Sequence, residues 1–503
     1  MSHPTRSSPP LELLVFAVGI ATLGAEIAAA RLMAPFFGAS TIVWANTIAI
    51  VLVALSIGYW FGGRMADRHP TLRALCATVL AASVLMALVP FVADPFLSLS
   101  VEAFDEYSVG AFAGSLFGVL VLVAVPVLML GSVSPWAIRL KMRAVEDSGE
   151  MAGRMYAIST VGSLLGTFAA SLLLIPLVGT QRTFLTFALI TAAVAAIGLG
   201  WRWWLVPLAI AALMAVPVGT TKGAEDGDRV IHETDTEYQY ARVVEEPDGV
   251  RKLELNEGLA IHSEIRPGTY LTGGYWDAFL VDPLTVLRRP PGHLAILGFG
   301  AGTTARAYGH YFPDTIIDGV EIDGELLDIG REYFDLEPRP QLRLHTEDAR
   351  PYLRRTGERY DAIFLDTYRQ PYIPFYLTTQ EFFALARDRL RPGGAVLINV
   401  GHPEGSDKLE KVLTATLATV FKHVVRDPVK HTNTILMASN SPFSAEALRD
   451  ADLPSDLAPL ALQAAARLAP PLQGGEVYTD DHAPVEWLVD ASIVQEAAGG
   501  NDR

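Results

Sequence analysis

Glycines and carboxylates recur directly after apolar runs in the second half of the chain. The run 294–297 precedes Gly298, Gly300 and Gly302. Glycines at such a position let the backbone turn sharply and approach a ligand at a helix N-terminus. Their spacing, with Thr303 where a dinucleotide fingerprint has its third glycine, disfavours a plain NAD site. These positions predict a loop that packs against a nucleoside.

Carboxylates follow the next three apolar runs. Glu321 and Asp323 stand about 20 residues after the glycines, where a carboxylate can accept both hydroxyl groups of a ribose. Asp348 and Ala349 follow the third run, where a carboxylate can bind an adenine amino group, and Asp366 follows the fourth. Each acid alone is more simply explained as a loop residue or helix cap. Four of them in order indicate nucleoside binding.

The elements that must position these residues alternate between strand and helix. The pattern predicts strands at 294–297, 315–322, 342–345, 362–365 and 395–400, and helices at 303–311, 325–334 and 380–390. Such alternation predicts a parallel, doubly wound sheet, in which ligands bind outside the carboxyl ends of the strands. Ahead of it, two strands at 236–244 and 250–256 flank turn residues and predict a β-hairpin.

The chain as a whole is poor in charge, and its apolar runs concentrate in the first half. The 503 residues are 50% hydrophobic and only 19% charged, whereas soluble domains usually carry about 25% charged residues. Apolar runs, most of them close to the roughly 20 residues that a membrane-spanning helix needs, recur at 13–33, 42–62, 74–93, 111–131, 156–178, 183–200 and 203–219. We expect a polytopic α-helical membrane domain of about seven spans over 1–220, a small β-hairpin subdomain over 228–290 and an α/β Rossmann-like domain over 291–503.

Charge and cysteine content exclude other classes of protein. The net charge is −16, which argues against a nucleic-acid partner, since affinity for phosphate comes from Lys and Arg. The single cysteine, Cys76, excludes a disulfide framework and a thiolate metal site. We expect no bound metal.

The charges of the loops predict how the chain is oriented in the cell inner membrane. The loops at 63–73 and 132–155 are rich in Arg and Lys, whereas 94–110 has neither. The positive-inside rule places both basic loops and the N-terminus in the cytoplasm. Seven spans would then put the polar half outside the cytoplasm. The nucleoside compound that this half is expected to bind is made in the cytoplasm, so the two expectations conflict. The last two runs are short and nearly contiguous, so we expect that one does not cross fully and that the catalytic domain faces the cytoplasm.

The ordered motifs resemble those of the spermidine synthase (aminopropyltransferase) family, on the class I S-adenosylmethionine-dependent methyltransferase fold. The matching pieces are 237–240, 253–258, Tyr275, the glycine loop, 320–323, 347–349 and 360–366. The segment 479–486 and the apolar first half make the whole chain similar to transmembrane spermidine synthase-like proteins.

The resemblance implies a role for each matching residue. Gln239 and Tyr275 would line the active site, with Tyr238 and Tyr368 near the substrate. The glycine loop would pack on the nucleoside, Glu321 and Asp323 would hold the ribose, and Asp348 with Ala349 would contact the adenine. Asp366 would be the carboxylate that helps to deprotonate the attacking amine, because an ammonium with a pKa of about 10 has no lone pair. The substrate would be S-adenosylmethionine or its decarboxylated form, and methylthioadenosine the leaving group.

Two departures from the family pattern bear on the acceptor. Arg369 stands where the family has the acid that binds a diamine, and Tyr275-Trp276-Asp277 replaces its Tyr-His-Glu. A guanidinium there repels a dication but suits the carboxylate of intact S-adenosylmethionine. Alternatively Arg369 points to solvent or pairs with Glu347 or Asp361. Asp480 and Asp481 would restore acidity if the C-terminus folded over the pocket.

Three functions remain open at this point. The first is aminopropyl or aminocarboxypropyl transfer, including intramolecular cleavage of S-adenosylmethionine with no acceptor. The second is a transporter or sensor with a non-catalytic nucleoside-binding domain, and the third is an ordinary methyltransferase. Membrane lipid and a small-molecule substrate are the expected partners, and a homodimer is an option.

Overall fold

The computed structural model describes residues 11–38, 41–105, 110–142, 148–216, 221–224, 227–258, 260–368, 372–402 and 404–489. The chain forms two compact units. The helical unit comprises Met1–Gly223 with Glu233–Tyr240, and the polar unit comprises Ala224–His232 with Ala241–Arg503.

The helical unit consists of helices that follow the apolar runs of the sequence. They are α1 (Leu11–Phe37), α2 (Thr41–Arg68), α3 (Leu72–Asp105), α4 (Gly110–Leu122), α5 (Ala124–Gly131), α6 (Val133–Lys141), α7 (Ser148–Ala169), α8 (Ile175–Leu199) and α9 (Leu205–Leu213). Among the described residues, four helices are long and apolar enough to cross a membrane, and a bent pair, Ala113–Leu122 with Ala124–Lys141, would make a fifth span. The predicted helical region is therefore present, with four or five candidate spans where about seven were expected, and its insertion into a membrane stays a prediction.

The last of these four helices is too long to be a single span. It runs over Gly149–Leu199, which is 51 residues. A helix of that length measures about 75 Å, more than twice the roughly 30 Å of hydrocarbon in a bilayer. Gly179 divides it, because its backbone has φ +81° and ψ 169° and leaves the helical region. The runs predicted at 156–178 and 183–200 therefore lie on either side of this break.

Small residues bring α1 and α7 into close contact. Gly162 lies against the carbonyl of Phe16, and Gly166 lies against that of Ile20. A Cβ added to Gly166 would stand 2.0 Å from the Ile20 oxygen, so a side chain is excluded there. Because residue 162 contacts residue 16 and residue 166 contacts residue 20, the two helices are parallel.

The polar unit is built on a seven-stranded sheet, here called the large sheet. Its strands are β5 (His293–Leu297), β6 (Ile316–Glu321), β7 (Leu342–Thr346), β8 (Tyr360–Leu365), β9 (Leu390–Gly401), β10 (His423–Lys430) and β11 (Asn433–Ser439). The order is β10-β11-β9-β8-β5-β6-β7. β5 to β9 pair in parallel, and β11 pairs antiparallel with both neighbours.

Helices cover both faces of the large sheet. They are α10 (Ala278–Val281), α11 (Leu284–Leu287), α12 (Thr303–Tyr311), α13 (Gly324–Tyr333), α14 (Ala349–Arg355), α15 (Gln380–Asp388), α16 (Lys408–Ala418), α17 (Ala445–Arg449) and α18 (Ala458–Arg467). Two hydrophobic clusters fill the layers, one around Phe382 and Phe383 and the other around Phe279 and Phe364. This is the predicted α/β fold of methyltransferase type.

A second, small sheet precedes the large one. Its strands, in spatial order, are β1 (Arg229–Asp235), β2 (Tyr240–Glu245), β3 (Arg251–Leu255) and β4 (Ile261–Ile265). β2 and β3 form the predicted hairpin, but β2 begins at Tyr240 instead of 236. The reason is a turn, in which the Thr236 hydroxyl accepts hydrogen bonds from the backbone N–H groups of Tyr238 and Gln239.

The helices and parallel strands predicted for the polar unit are all present, with bounds shifted by two residues at most in all but β9, which begins five residues early. The sequence analysis did not predict α14, α16, β10, β11 or the C-terminal helices. α14 is only seven residues long, which is too short for a helical period to be recognised.

An ion pair between a half-buried arginine and a buried aspartate joins α18 to the large sheet. Arg467 on α18 donates from Nε and Nη2 to the two carboxylate oxygens of Asp427 on β10, each at 2.7 Å. Asp427 has no exposed surface. Asp282 is also fully buried nearby, and its burial together with the Asp427 charge holds its pKa well above the usual range.

Replacing Arg467 should destabilise the polar unit. Arg467→Met leaves the Asp427 charge buried beside Asp282, and breaking such a pair typically costs about 3–5 kcal/mol. Arg331→Met is the control, because Arg331 pairs with Asp328 on the surface and exposed pairs contribute about 0–1 kcal/mol. Thermal unfolding of the full chain in detergent measures both. Equal midpoints for the two variants would contradict the prediction.

Candidate active site

The register of the large sheet places the predicted site residues in one row. Leu297 pairs with Val320 and with Leu365, so Gly298 lies level with Glu321 on one side and Asp366 on the other. Leu365 in turn pairs with Ile398, which brings Asn399 level with Asp366. Strands lie about 4.8 Å apart, so the row spans roughly 14 Å along the carboxyl edge. That length suits an extended nucleoside with a side chain.

The glycine loop needs glycine for two separate reasons. Gly298, Gly300 and Gly302 all have φ between +55° and +93°, in the left-handed region that favours glycine. In addition, a Cβ on Gly298 would stand 2.3 Å from the Asp366 carbonyl oxygen, so the loop and the end of β8 are in direct backbone contact. α12 begins directly afterwards at Thr303. Amide groups at this helix start face the carboxyl edge.

Glu321 is fixed by backbone donors. Its Oε2 accepts from the Gly300 N–H at 2.8 Å, and its Oε1 accepts from the Asp323 N–H at 3.1 Å. Burial raises the pKa of this carboxyl to about 7, although these hydrogen bonds lower it. Each oxygen keeps a lone pair for a further donor, so Glu321 can accept from a ribose hydroxyl when it is ionised.

The other two predicted nucleoside acids are helix caps. Asp323 precedes α13 and accepts from the Glu325 N–H at 3.2 Å. Asp348 precedes α14, accepts from the Arg350 N–H at 2.9 Å and also accepts from the Tyr376 hydroxyl at 2.6 Å. Ala349 is buried as the first residue of α14. Capping explains both aspartates locally, and their contacts with ribose and adenine stay predictions.

Asp366 has the geometry of an oriented base. Its Oδ2 accepts from the Tyr275 hydroxyl at 2.9 Å, and its Oδ1 accepts from the Asn399 amide at 2.9 Å. Burial raises the pKa of Asp366 to about 6, against the lowering effect of these donors. Asn399 is held in turn by Asn433, whose amide donates to its Oδ1 at 3.0 Å. The carboxylate is therefore fixed in direction while it remains ionised near neutral pH.

Aromatic side chains surround this carboxylate. Tyr275 and Trp276 pack together with ring centroids 4.4 Å apart. The Tyr368 hydroxyl donates to the Asn399 carbonyl at 3.0 Å and accepts from the Gly401 N–H. Burial raises the pKa of Tyr368, which keeps its hydroxyl protonated. Among the described residues, the Thr367 hydroxyl beside Asp366 is buried and has no hydrogen-bond partner.

The structure tests only part of the prediction about the acceptor. Arg369 lies outside the described residues. Asp361, one of the acids considered as its partner, already pairs with Arg289 and Arg391 at 3.1 Å each. Glu347, the other one, pairs with Arg355.

The C-terminal segment does reach the carboxyl edge, but as an ion pair. Asp480 accepts from Arg350 on α14 through two hydrogen bonds, at 2.8 Å and 2.6 Å, and from the Thr379 hydroxyl at 2.7 Å. Its charge is thereby matched by a guanidinium. Asp481 is exposed on the surface. Extra acidity for a diamine from this segment stays a prediction, and the pairing of Asp480 weighs against it.

Two predicted site residues belong to the other unit. Tyr238 and Gln239 lie in the segment Glu233–Tyr240 of the helical unit. Tyr238 is exposed and Gln239 is buried. Their contact with a nucleoside stays a prediction.

The sequence analysis missed Asn399, which is the second donor to Asp366. A signal was present, since Asn399 interrupts the apolar run 395–400 near the carboxyl end of a predicted strand. It also missed Trp276 as a contributor to the site, whose side-chain hydrogen bond lowers the pKa of Asp366. Asp277, by contrast, holds its own loop by accepting from the N–H groups of Thr272 and Gly273.

The polar unit is similar to known proteins in sequence. Residues 284–437 match the spermine/spermidine synthase domain. A probable polyamine aminopropyl transferase of Bifidobacterium longum is 31% identical over 292 residues, which are 53% of this chain and 64% of that protein. This chain thus spans less than two thirds of that relative. A polyamine aminopropyltransferase of Corynebacterium efficiens is 27% identical over 410 residues, 74% of this chain and 73% of that protein.

The longer match extends beyond the polar unit, because 74% of the chain exceeds the part that follows residue 228. Among solved structures, a probable spermidine synthase of Corynebacterium glutamicum aligns with 51% of this chain and 100% of its own, at 21% identity and a TM-score of 0.40. With the domain match over 284–437 and the row of residues at the carboxyl edge, the polar unit is spermidine synthase-like and carries a spermine/spermidine synthase domain.

Proposed function

We propose that this chain is a membrane-anchored aminopropyltransferase-like enzyme that cleaves an S-adenosylmethionine-type sulfonium and releases methylthioadenosine. The observation that carries the proposal is Asp366, held by Tyr275 and Asn399 at the carboxyl edge of the large sheet. The relatives named polyamine aminopropyltransferase support the same reaction class. A sensor of nucleosides would have no use for a base oriented in this way.

The residues support a substitution at carbon. Glu321 and the glycine loop would bind the nucleoside, which places its sulfonium toward Asp366. An amine then attacks the carbon beside sulfur, so a C–N bond forms while the C–S bond breaks and the electron pair stays on methylthioadenosine. Asp366 takes the proton that the amine loses, as its raised pKa makes it a stronger base than an ordinary aspartate.

The nature of the acceptor is the open choice within this proposal. Decarboxylated S-adenosylmethionine with a diamine is the first candidate, as in polyamine synthesis. The second is intact S-adenosylmethionine, with transfer of an aminocarboxypropyl group or attack by the substrate's own amine or carboxylate. The described groups that hydrogen-bond to Asp366 are a phenol, an amide and an indole, and Asp480 is matched by Arg350. The pairing of Asp480 with Arg350 weighs against diamine binding and so favours the second candidate.

Product analysis separates these candidates. Detergent-purified protein is incubated with either sulfonium, with and without putrescine, and the products are identified by mass spectrometry. Methylthioadenosine from the decarboxylated form plus putrescine alone would establish the diamine reaction. Methylthioadenosine from S-adenosylmethionine alone would establish intramolecular cleavage. S-adenosylhomocysteine would identify a methyltransferase and contradict the proposal. Pairing with a second copy and contact with lipid stay predictions.

Asp366→Asn should lower turnover by about 10²–10⁴-fold, the usual contribution of a general base. The change keeps the size of the side chain but replaces one of its two acceptor oxygens with an amide donor, to which the Tyr275 hydroxyl can respond by accepting. Binding of methylthioadenosine, measured by calorimetry, should stay within a few fold of the unchanged protein. Loss of binding together with turnover would mean that Asp366 has a structural role.

The pH dependence of kcat/KM should follow the ionisation of Asp366. Asp366 has a raised pKa of about 6 and acts as a base only when ionised. The value of kcat/KM should therefore fall about tenfold per pH unit below 6. Tyr275→Phe removes a donor to the carboxylate, which raises its pKa further, so the acid limb should move to higher pH. An unmoved limb in this variant would contradict the assignment.

Glu321 should make nucleoside binding pH-dependent. Its pKa is raised to about 7, so protonation below that pH removes the negative charge that strengthens its hydrogen bond from a ribose hydroxyl. The affinity for methylthioadenosine should weaken as the pH falls from 8 to 6. Glu321→Gln should weaken binding by roughly 10–100-fold, as for a lost hydrogen bond to a charged group, and should flatten this dependence. Glu325→Gln, on the exposed start of α13, is the matched control.

A further inference from the structure

One end of the helical unit collects the basic loops. Lys141 at the end of α6 and Arg154 near the start of α7 both pair with Glu12 at the start of α1, the latter at 3.2 Å. Arg139 on α6 pairs with Asp67 at the end of α2 at 3.0 Å. These four helix ends therefore lie at one level, which we call the basic end.

The opposite end is marked by contacts with the segment 233–240. Arg31 on α1 donates to the Glu237 carbonyl oxygen. Thr180, directly after the break at Gly179, donates from its N–H at 3.2 Å and its hydroxyl at 2.8 Å to Asp235. From Glu12 to Arg31, α1 rises about 28 Å at roughly 1.5 Å per residue. That rise nearly equals the hydrocarbon thickness of a bilayer, so this segment lies at the far end.

α8 returns from the far end to the basic end. Thr180 shares the far end with Arg31, and the Phe187 ring lies against Gly24 on α1. As residue numbers rise along α8, those of the contacted part of α1 fall, so the helices are antiparallel. Leu199 lies as far beyond Phe187 in the sequence as Glu12 lies before Gly24. α8 therefore ends at the level of the basic end.

The chain must then cross once more. The N–H of Thr221 donates to the Glu233 carboxylate at 3.0 Å and 3.1 Å, which places residue 221 with the far-end segment. The helix Trp201–Leu213 covers about 20 Å of the return. The segment 214–221 is long enough for the remaining distance of about 10 Å, because an extended chain covers roughly 3.3 Å per residue. The chain between Leu199 and Thr221 thus completes a crossing although its helix, Trp201–Leu213, is short.

We infer that the chain crosses the membrane seven times and that the residues after 240 lie on the extracytoplasmic face. The basic end is cytoplasmic by the positive-inside rule. The chain leaves the helical unit at Tyr240, at the far end, and all candidate spans among the described residues precede residue 200. The structure thus favours the opposite side to the one expected from the origin of the cofactor.

This orientation deepens the proposed function and rests on it for its chemical meaning. Both the sulfonium and any amine acceptor would have to be present outside the cytoplasm. Methylthioadenosine would be released there as well. A reaction that consumes the sulfonium without a second substrate requires only one compound to reach that face.

Single cysteines test the orientation, because Cys76 is the only cysteine in the sequence and is buried in α3. In a Cys76→Ala background, Asp314→Cys introduces a thiol in an exposed turn between α12 and β6 of the polar unit. His69→Cys introduces one in the exposed loop between α2 and α3 at the basic end. Bacterial spheroplasts are treated with a membrane-impermeant maleimide before and after lysis.

We expect Asp314→Cys to be labelled before lysis and His69→Cys only afterwards. Labelling of His69→Cys alone before lysis, of both or of neither would overturn the inference. Thermal unfolding of each purified variant in detergent, compared with the Cys76→Ala parent, shows whether it has folded. The labelling result does not depend on turnover, so an inactive protein with this pattern would contradict only the proposed function.

Discussion

The parallel register of β5, β6, β8 and β9 is the constraint on which the rest of the site depends. It places Glu321, Gly298, Asp366 and Asn399 in one row, although they are distant from one another in the sequence. A shift of one residue in any strand would turn its side chain to the other face of the sheet. The apolar side chains that pack on both faces of the strands fix this register. The packing that forms the hydrophobic core therefore also aligns the residues of the site.

Burial gives the two carboxylates of this row different properties from those of surface acids. Glu321 and Asp366 both have a raised pKa because desolvation outweighs the donors that stabilise their charges. Their donors differ in kind. Glu321 accepts from backbone amides of the glycine loop, which suits a binding role, whereas Asp366 accepts from the side chains of Tyr275 and Asn399. The second arrangement fixes the direction of the carboxylate, which suits the base that we propose.

The helical unit bears on which compartment provides the substrates, which the polar unit by itself does not indicate. Contacts of Arg31 and Thr180 with the segment 233–240 place the exit from the helices at the far end. In the orientation that we infer, the site meets the solutes of the extracytoplasmic compartment. In the polar unit, Arg350 matches the charge of Asp480, which reduces the attraction for a dication. Both features favour a reaction that does not depend on a cytoplasmic diamine pool.

Sequence alone determined the parallel strands, the helices α12, α13 and α15 and most of the row, because alternating apolar runs and the residues that follow them are local signals. The strands β5 to β9, the glycine loop, Glu321 and Asp366 all follow from that pattern. Tertiary structure decided which groups meet. Asn399 contacts Asp366 only because β9 pairs with β8, and Asp480 binds Arg350 only because the C-terminal segment returns to α14. The seventh crossing that we infer likewise depends on two tertiary contacts, that of Thr221 with Glu233 and that of Asp235 with Thr180. Such contacts join residues far apart in the chain, and no local pattern of residues encodes them.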